Sequence, residues 1–474
     1  MHLAFVRKDP DKAYITNKLL LPKALINERP IKTALTFITN EETKVVDEAT
    51  GEVIDTIPST LHLYEETAHH LVVPREFLTP RQREQFQFPF VVVDPPDFEH
   101  VSIEALSAPR DEEQQRAFNA LVTHPNGTLN LACGKGKTVL ALLLAAHLKV
   151  PTMVVVNTTA LLEQWKEEIE RHLDVDDVGV VQGTQVKWAG CPIVLATVHT
   201  LAGKRDLWSV EFRRRFGLVF YDEGHHMSAP LFSKSADLFY GKRYSLTATP
   251  KRLDGLEAVY QYHLGEVIYS DLSQDLVPTT FFHPLKWDMP LRDKDRVTDK
   301  SGDINSSKLR VYLGELDWRN ELIVEDIEFD LAAGRQLLVL SHSVAHVDRL
   351  RQMLMNRWPA GAITGATPQE SRMQILRDSN PVVGTFQLAR EGLNKPSLDT
   401  LYVATPFKSP NDIQQALGRI QRAYDGKKEP IFRYYYDTAF NFSVDSYRKI
   451  RRWMKDSDYP FRRRQAVQVE FENE

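Results

Sequence analysis

"LACGKGKTVL", residues 131–140, places two glycines and two lysines between apolar runs, with a threonine directly after the second lysine. The apolar run "TLNLA" comes before the glycines and "TVLALLLAAHL" comes after them. One reading is an ordinary loop between a strand and a helix. The other is a cradle for phosphates. Gly134 and Gly136 can adopt backbone angles that other residues avoid, so successive amides around Lys135 can point into one concavity. The amino terminus of the following helix adds positive dipole there. Lys137 then reaches the β- and γ-phosphates, and the Thr138 hydroxyl binds Mg²⁺. The longer form of the motif has glycine at 131, where this chain has leucine, so the match is to the shorter GxGKT form.

Outward from this stretch, apolar β-rich runs alternate with amphipathic ones. "TMVVVN", "PIVLAT", "GLVFYDE" and "YSLTAT" follow in the first set, and "QLLVLSHS", "PVVGT", "LDTLYVAT" and "IFRYYYD" in the second. Helices are predicted over 137–148, 159–173, 344–357 and 410–422. Nearly continuous apolar strands that alternate with helices imply parallel sheets covered on both faces, with ligands at the carboxyl ends of the strands. The polar stretch 285–315 is read as the separator between the two sets. Residues 1–100 differ, with short β-rich segments such as "HLAFV", "TALTFIT" and "HHLVVP" ahead of the boundary-like "VVVDPPDFEH". The expected organisation is α/β. A small β-rich domain (1–100) precedes two tandem domains (101–280 and 281–440), and a basic, aromatic tail follows (441–474).

Composition limits the function classes. The chain has 474 residues, 42% hydrophobic and 26% charged, which excludes a largely disordered protein. Its two cysteines, Cys133 and Cys191, make neither a disulfide framework nor a zinc site. The opening "MHLAFVRKDPDK" predicts no secretory leader, and the run "VLALLLAAHL" is too short to span a bilayer. A soluble intracellular protein is expected. The net charge of −5 argues against coating nucleic acid by bulk charge but allows a local basic groove.

The second candidate site is "GLVFYDEGHH" (217–226), an apolar strand that ends in two acids. A phosphate loop needs one acid to hold Mg²⁺ and another to orient the attacking water. Asp222 fits the first role and Glu223 the second, with His225 as a hydrogen-bonding group near the γ-phosphate. Ser245 and Thr247 in "YSLTATP" (244–250) are candidates for coupling that site to a neighbouring domain. In "QQALGRIQR" (414–422), Arg419 and Arg422 are three apart, so on a helix they share a face and fit arginine fingers. A solvated basic face is the alternative.

In this order the motifs resemble the superfamily 2 helicases of the DExH type, over about 110–425. DEGH (222–225) resembles motif II, SLTATP motif III, "VVVNTTALLEQW" (154–165) motif Ia and "ATVHTL" (196–201) motif Ib. "VLSHSVAHVDRL" (339–350) resembles motif IV, "GTFQLAREGLNKPSLDTLYVATP" (384–406) motif V, and QQALGRIQR motif VI. The phrasing is most similar to XPB-like DNA helicases and their compact phage relatives that drive branch migration. "HHLVVPREF" (69–77), "DEGHHMSAPLFSK" and "LTATPKRLDG" carry that resemblance.

The resemblance implies two RecA-like domains with ATP and Mg²⁺ bound between them, and alternating closure and opening that moves the protein along a strand. It makes Gln114 the adenine-side glutamine, with Gln115 as a substitute. It adds Gly392, Asn394 and Gln415 to the nucleotide site. Asn394 stands where an aspartate is common, so it can hydrogen-bond but carries no charge. Thr158, Thr197, His342, Gly365 and Thr385 fall where relatives touch the nucleic-acid backbone, so little sequence specificity is expected.

The function so implied is an ATP-dependent DNA helicase or translocase on branched, forked or duplex DNA, in recombination, repair or replication. It is expected to be a monomer or weak oligomer, with protein partners docking through the amino-terminal region. An RNA helicase and the motor subunit of a restriction or defence complex are the alternatives. The intact Lys137, Asp222, Glu223, Arg419 and Arg422 argue against an inactive scaffold. The tail "YRKIRRWMKDSDYPFRRR" (447–464) interleaves aromatics with eight basic residues. It reads either as a stacking surface for nucleic acid or as an amphipathic helix packed on the second domain.

Overall fold

The strand Asn126–Leu131 is buried along nearly its whole length, and the helix Lys137–Leu148 buries every residue from Leu140 to Ala146. A helix so apolar on all sides needs cover on both sides. A computed structural model shows how it is covered, and describes residues 9–46, 53–93, 97–132, 134–224, 229–248, 256–274, 276–386, 388, 393, 395–407, 410–464 and 467–468. The chain divides into two compact units, Met1–Leu272 and Ser273–Glu474.

The first unit is built on an eight-stranded sheet. Its spatial order is Gln185–Lys187, Val178–Gln182, Ile193–Thr197, Thr152–Val156, Leu218–Asp222, Lys242–Thr247, Asn126–Leu131 and Val267–Asp271. All neighbours are parallel except the first pair. The strand that ends in Asp222 is therefore one strand away from the strand that leads into the glycines, with Ser245 and Thr247 on the strand between them.

The amino-terminal residues form a five-stranded mixed sheet and a two-stranded ribbon, Thr36–Val46 against Val53–His62. The sheet's apolar residues Leu19, Leu21, Leu71 and Val73 share one core with Met153, Val155 and Phe216. Polar contacts fix this junction. Buried Arg75 donates to the Tyr240 and Gly241 carbonyls at 2.8 and 2.9 Å and to Asn126 Oδ1 at 2.6 Å. Asn126 Nδ2 in turn donates to Glu76 at 2.9 Å.

The second unit carries another parallel sheet: Gly361–Ile363, Val382–Thr385, Leu337–Ser341, Thr400–Val403, Ile431–Asp437, Thr279–Lys286 and Phe461–Arg463, with Val467–Gln468 also beside Thr279–Lys286. A fully buried ion pair, Arg319 with Asp437 at 3.1 Å, ties a helix to this sheet, and Trp287 Nε1 adds a third contact at 3.0 Å. The chain passes from one sheet to the other between Asp271 and Thr279, ahead of the expected separator at 285–315. That stretch instead ends a strand and forms the helices Lys294–Val297 and Ser306–Glu315. Its charged residues hid the helices because most of them face solvent. Residues 441–463 are also built into this unit, as the helix Asn441–Asp456 and an edge strand. Among the described residues no helix is long and apolar enough to cross a membrane.

Candidate active site

Gly134 and Gly136 take φ of 85° and 84°, left-handed angles that a side chain resists, and Gly136 caps the helix Lys137–Leu148. A Cβ on Gly136 would come within 2.4 Å of Gln114 Nε2. Gln114 is buried and holds the loop from behind. Its Nε2 donates to the Lys135 carbonyl at 3.0 Å, and its Oε1 accepts from the Arg110 amide at 3.0 Å. Gln115 lies on the exposed side of the same helix, where it bonds Asn119. Lys135 points away from the cradle, 3.2 Å from Glu113 and 3.7 Å from Asp271.

Lys137 points the other way. Its ammonium donates to the Leu131 carbonyl at 3.0 Å and lies 3.7 Å from Glu223. Thr138 follows it in the first turn of the helix. Asp222 is buried at the end of its strand and accepts from the indole Nε1 of Trp165 at 2.8 Å. Burial and the neighbouring Glu223 push the Asp222 carboxyl up to about 7, against the pull of the indole and of Lys137. Such a carboxylate is costly to charge without a cation beside it. A carboxylate of this kind, beside Lys137 and Glu223, fits a hard divalent ion. Glu223 itself takes a left-handed φ of 47°, which turns its side chain toward Lys137. Ser245 and Thr247 are buried, paired in register with Tyr221 and Asn130.

The five residues expected on nucleic acid all lie at or just past the carboxyl ends of parallel strands, Thr158 and Thr197 in the first unit and His342, Gly365 and Thr385 in the second. The Thr158 hydroxyl caps the helix that carries Trp165, at 3.3 Å from the Leu161 amide. The Thr197 hydroxyl bonds Thr200 at 2.8 Å. His342 is hydrogen-bonded to Arg310 at 2.9 Å, and the Gly365 carbonyl accepts from Arg372 at 3.2 Å.

Gln415 and Arg419 lie on the helix Pro410–Ile420, where Gln415 is buried and Arg419 donates to the Leu393 carbonyl at 3.2 Å. That helix ends two residues before Arg422, so the expected shared helical face for Arg419 and Arg422 is not formed. The intervening Gln421 donates its amide to the Leu276 carbonyl and to the Tyr459 hydroxyl. His225, Gly392 and Asn394 lie outside the described residues.

Residues 107–252 match the family described as "Type III restriction enzyme, res subunit", and residues 318–424 match "Helicase conserved C-terminal domain". The chain belongs to the superfamily 2 helicases. Among its relatives is a DNA 3'-5' translocase of the XPB type from Sulfurisphaera tokodaii, 27% identical over 66% of this chain and 78% of that one. A protein of Acanthamoeba polyphaga mimivirus that carries the name of an ATP-dependent RNA helicase is 28% identical over 64% of this chain. The helicase described here spans 59% of that relative's length. In fold it is similar to Saccharomyces cerevisiae Dbp5 bound to RNA and ADP BeF3, with a TM-score of 0.53 and 13% identity over 74% of this chain and 89% of that one.

Trp165 is a site residue that the motif pattern alone does not reveal. Its signal in "ALLEQW" is a lone indole on an amphipathic helix, since a buried N–H needs an acceptor. The Gln114–Arg110 brace is half legible: the sequence points to the glutamine but not to its backbone partners.

Proposed function

We propose that this helicase hydrolyses ATP to move on branched, forked or duplex DNA, and that its physiological act is the remodelling of junctions. The observation that carries the reading is the convergence of Lys137, Glu223 and the Trp165-held Asp222 on the mouth of a left-handed glycine loop. The loop amides and Lys137 bind the β- and γ-phosphates. Asp222 and Thr138 would hold Mg²⁺, which neutralises charge on those phosphates. Glu223 orients the attacking water and takes up its proton. Gln114 keeps the loop in its binding shape. Arg419 and Arg422 supply positive charge to the transferring phosphoryl group, and Ser245 and Thr247 pass the change in the site toward the strand-binding residues. Gln415, Gly392, Asn394 and His225 complete the nucleotide site. The hydroxyls and amides of Thr158, Thr197, His342, Gly365 and Thr385 hold phosphates without reading bases. In domain terms, residues 1–100 serve as the duplex- or junction-gripping part, and the α/β regions on either side of 281 serve as the motor.

DNA is preferred over RNA because the motif phrasing follows the XPB-like proteins, and the S. tokodaii relative is named as a DNA translocase. The RNA reading has its own support in the name of the mimivirus relative. A labelled four-way DNA junction and an RNA duplex of matched arm length, each incubated with ATP, separate the two. ATP-dependent dissociation of the junction is expected. Dissociation of the RNA duplex alone would overturn the DNA assignment.

A further inference from the structure

The chain has a net charge of −5, yet residues 447–464 hold eight Lys and Arg against two Asp. The structure sorts this stretch into two faces. On the inner face, Tyr447 stacks on Tyr436 with ring centroids 4.2 Å apart, Trp453 packs on Tyr459 at 5.2 Å, and Phe461 meets Phe282 at 5.9 Å. Ile450 and Met454 are buried beneath them. The rings are therefore half-buried and used chiefly to pack against the core of the second unit.

On the outer face, Arg448, Lys449, Arg451, Arg452, Lys455 and Arg462 are all exposed. Arg448, Arg451, Arg452 and Lys455 fall within an arc of about 100° opposite Ile450, at 3.6 residues per turn. Arg448 is paired with Asp445 at 3.1 Å, and Arg451 lies over the Phe461 ring. Lys449, Arg452, Lys455 and Arg462 have no ion-pair partner among the described residues. An exposed basic face is ordinarily only solvated. Here it is concentrated on one helix of an acidic protein. That helix packs against the one bearing Arg419, and a Gln421–Tyr459 hydrogen bond of 2.9 Å links the segments that follow the two.

We propose that the outer face of Asn441–Asp456, together with Arg462, is a phosphate-binding surface that holds duplex DNA by its backbone. The inference rests on the reading of the chain as a nucleic-acid motor. Cations whose neighbouring rings are used chiefly in packing suit a duplex better than a single strand, because single-strand binding draws much of its energy from base stacking. Lys449 to Lys455 span about 9 Å of helix axis at 1.5 Å per residue, and duplex DNA carries a charge about every 1.7 Å of its axis, so several phosphates lie within reach.

The test is the salt dependence of binding to a duplex and to a single strand of equal length, for the full chain and for the quadruple variant Lys449→Ala, Arg452→Ala, Lys455→Ala, Arg462→Thr. Each lost phosphate contact lowers the slope of log K against log salt by about 0.9 on duplex DNA, so the slope is expected to fall by about 3 to 4. Duplex affinity near physiological salt is expected to fall by about tenfold or more, with the single-strand slope unchanged. The paired variant Arg452→Lys, Arg462→Lys keeps the charge and is expected to keep the wild-type slope. ATP hydrolysis without nucleic acid, which none of these residues serves, is expected to stay at the wild-type rate. An unchanged duplex slope, or an equal loss on single and double strands, overturns this surface and leaves the motor reading intact. Failure of the wild-type chain to bind any nucleic acid overturns both.

Discussion

The indole N–H of Trp165 sits 2.8 Å from the Asp222 carboxylate, and both groups are out of water. A hydrogen bond to a charged group contributes about 1.5–3 kcal/mol, so Trp165→Phe is expected to slow ATP turnover by roughly ten- to a hundredfold. The smaller ring also leaves a void and a buried carboxylate without its donor, so a lower melting temperature is expected beside the slower turnover. Steady-state ATP hydrolysis as a function of Mg²⁺ concentration checks this, and an unchanged Mg²⁺ requirement with unchanged turnover would remove Trp165 from the site. Glu223→Gln keeps the shape of the loop and removes the base; nucleotide binding is expected to persist while hydrolysis falls below a hundredth of wild type. At this scale the sequence points to the atoms proposed to do the chemistry but not to what holds them. The glycines, Lys137 and the acid pair announce themselves because phosphate chemistry needs those residue types at that spacing. The supports of Asp222 and Gln114 are contacts over 57 and 21 residues, which spacing cannot express.

Buried histidines govern the pH response of whole elements. His346, on the helix Val344–Leu354, bonds Ser341 at 2.7 Å and Asn320 at 2.8 Å, and its ring lies against Gly314. Burial pushes it down to about 3, and it does the same to His263 in the first unit. The unfolded chain takes up these protons near pH 6.5, whereas the folded chain refuses them until about 3. The stabilisation is therefore complete above pH 6.5 and is lost as the pH falls. Between pH 7 and pH 5 each histidine is expected to cost about 2 kcal/mol of stability. Chemical denaturation at the two pH values measures it, and His346→Gln is expected to flatten the response of the second unit. Arg75 anchors the amino-terminal sheet through three acceptors, and Arg75→Ala takes its donors from the Tyr240 and Gly241 carbonyls and leaves Asn126 Oδ1 with the Arg243 amide. A loss of about 3 kcal/mol from the first unit is expected, seen as a lower melting temperature with the β-rich part melting together with the α/β part. Apolar strands and amphipathic helices were readable because one period runs through each. The helix Ser306–Glu315 was not, because its buried residues include an arginine and a glycine that a hydrophobic pattern passes over.

At the scale of the molecule, the two parallel sheets present their functional residues at the carboxyl ends of strands, as open α/β sheets do. The first unit holds the glycine loop, the acid pair and two threonines proposed to grip the nucleic-acid backbone. The second holds the arginine helix and three further backbone positions. On the proposed reading, nucleotide turnover is read out as movement only if nucleic acid and hydrolysis are coupled. That coupling is the central claim, and steady-state ATP hydrolysis tests it most directly. The full chain would be assayed with no polynucleotide, single-stranded DNA, duplex DNA, a four-way DNA junction and single-stranded RNA, with Lys137→Ala and Glu223→Gln as controls. Strong stimulation by junction or duplex DNA, lost in both variants, is predicted. Hydrolysis that no polymer stimulates would contradict it, whereas stimulation by RNA alone would keep the coupling and overturn the DNA assignment.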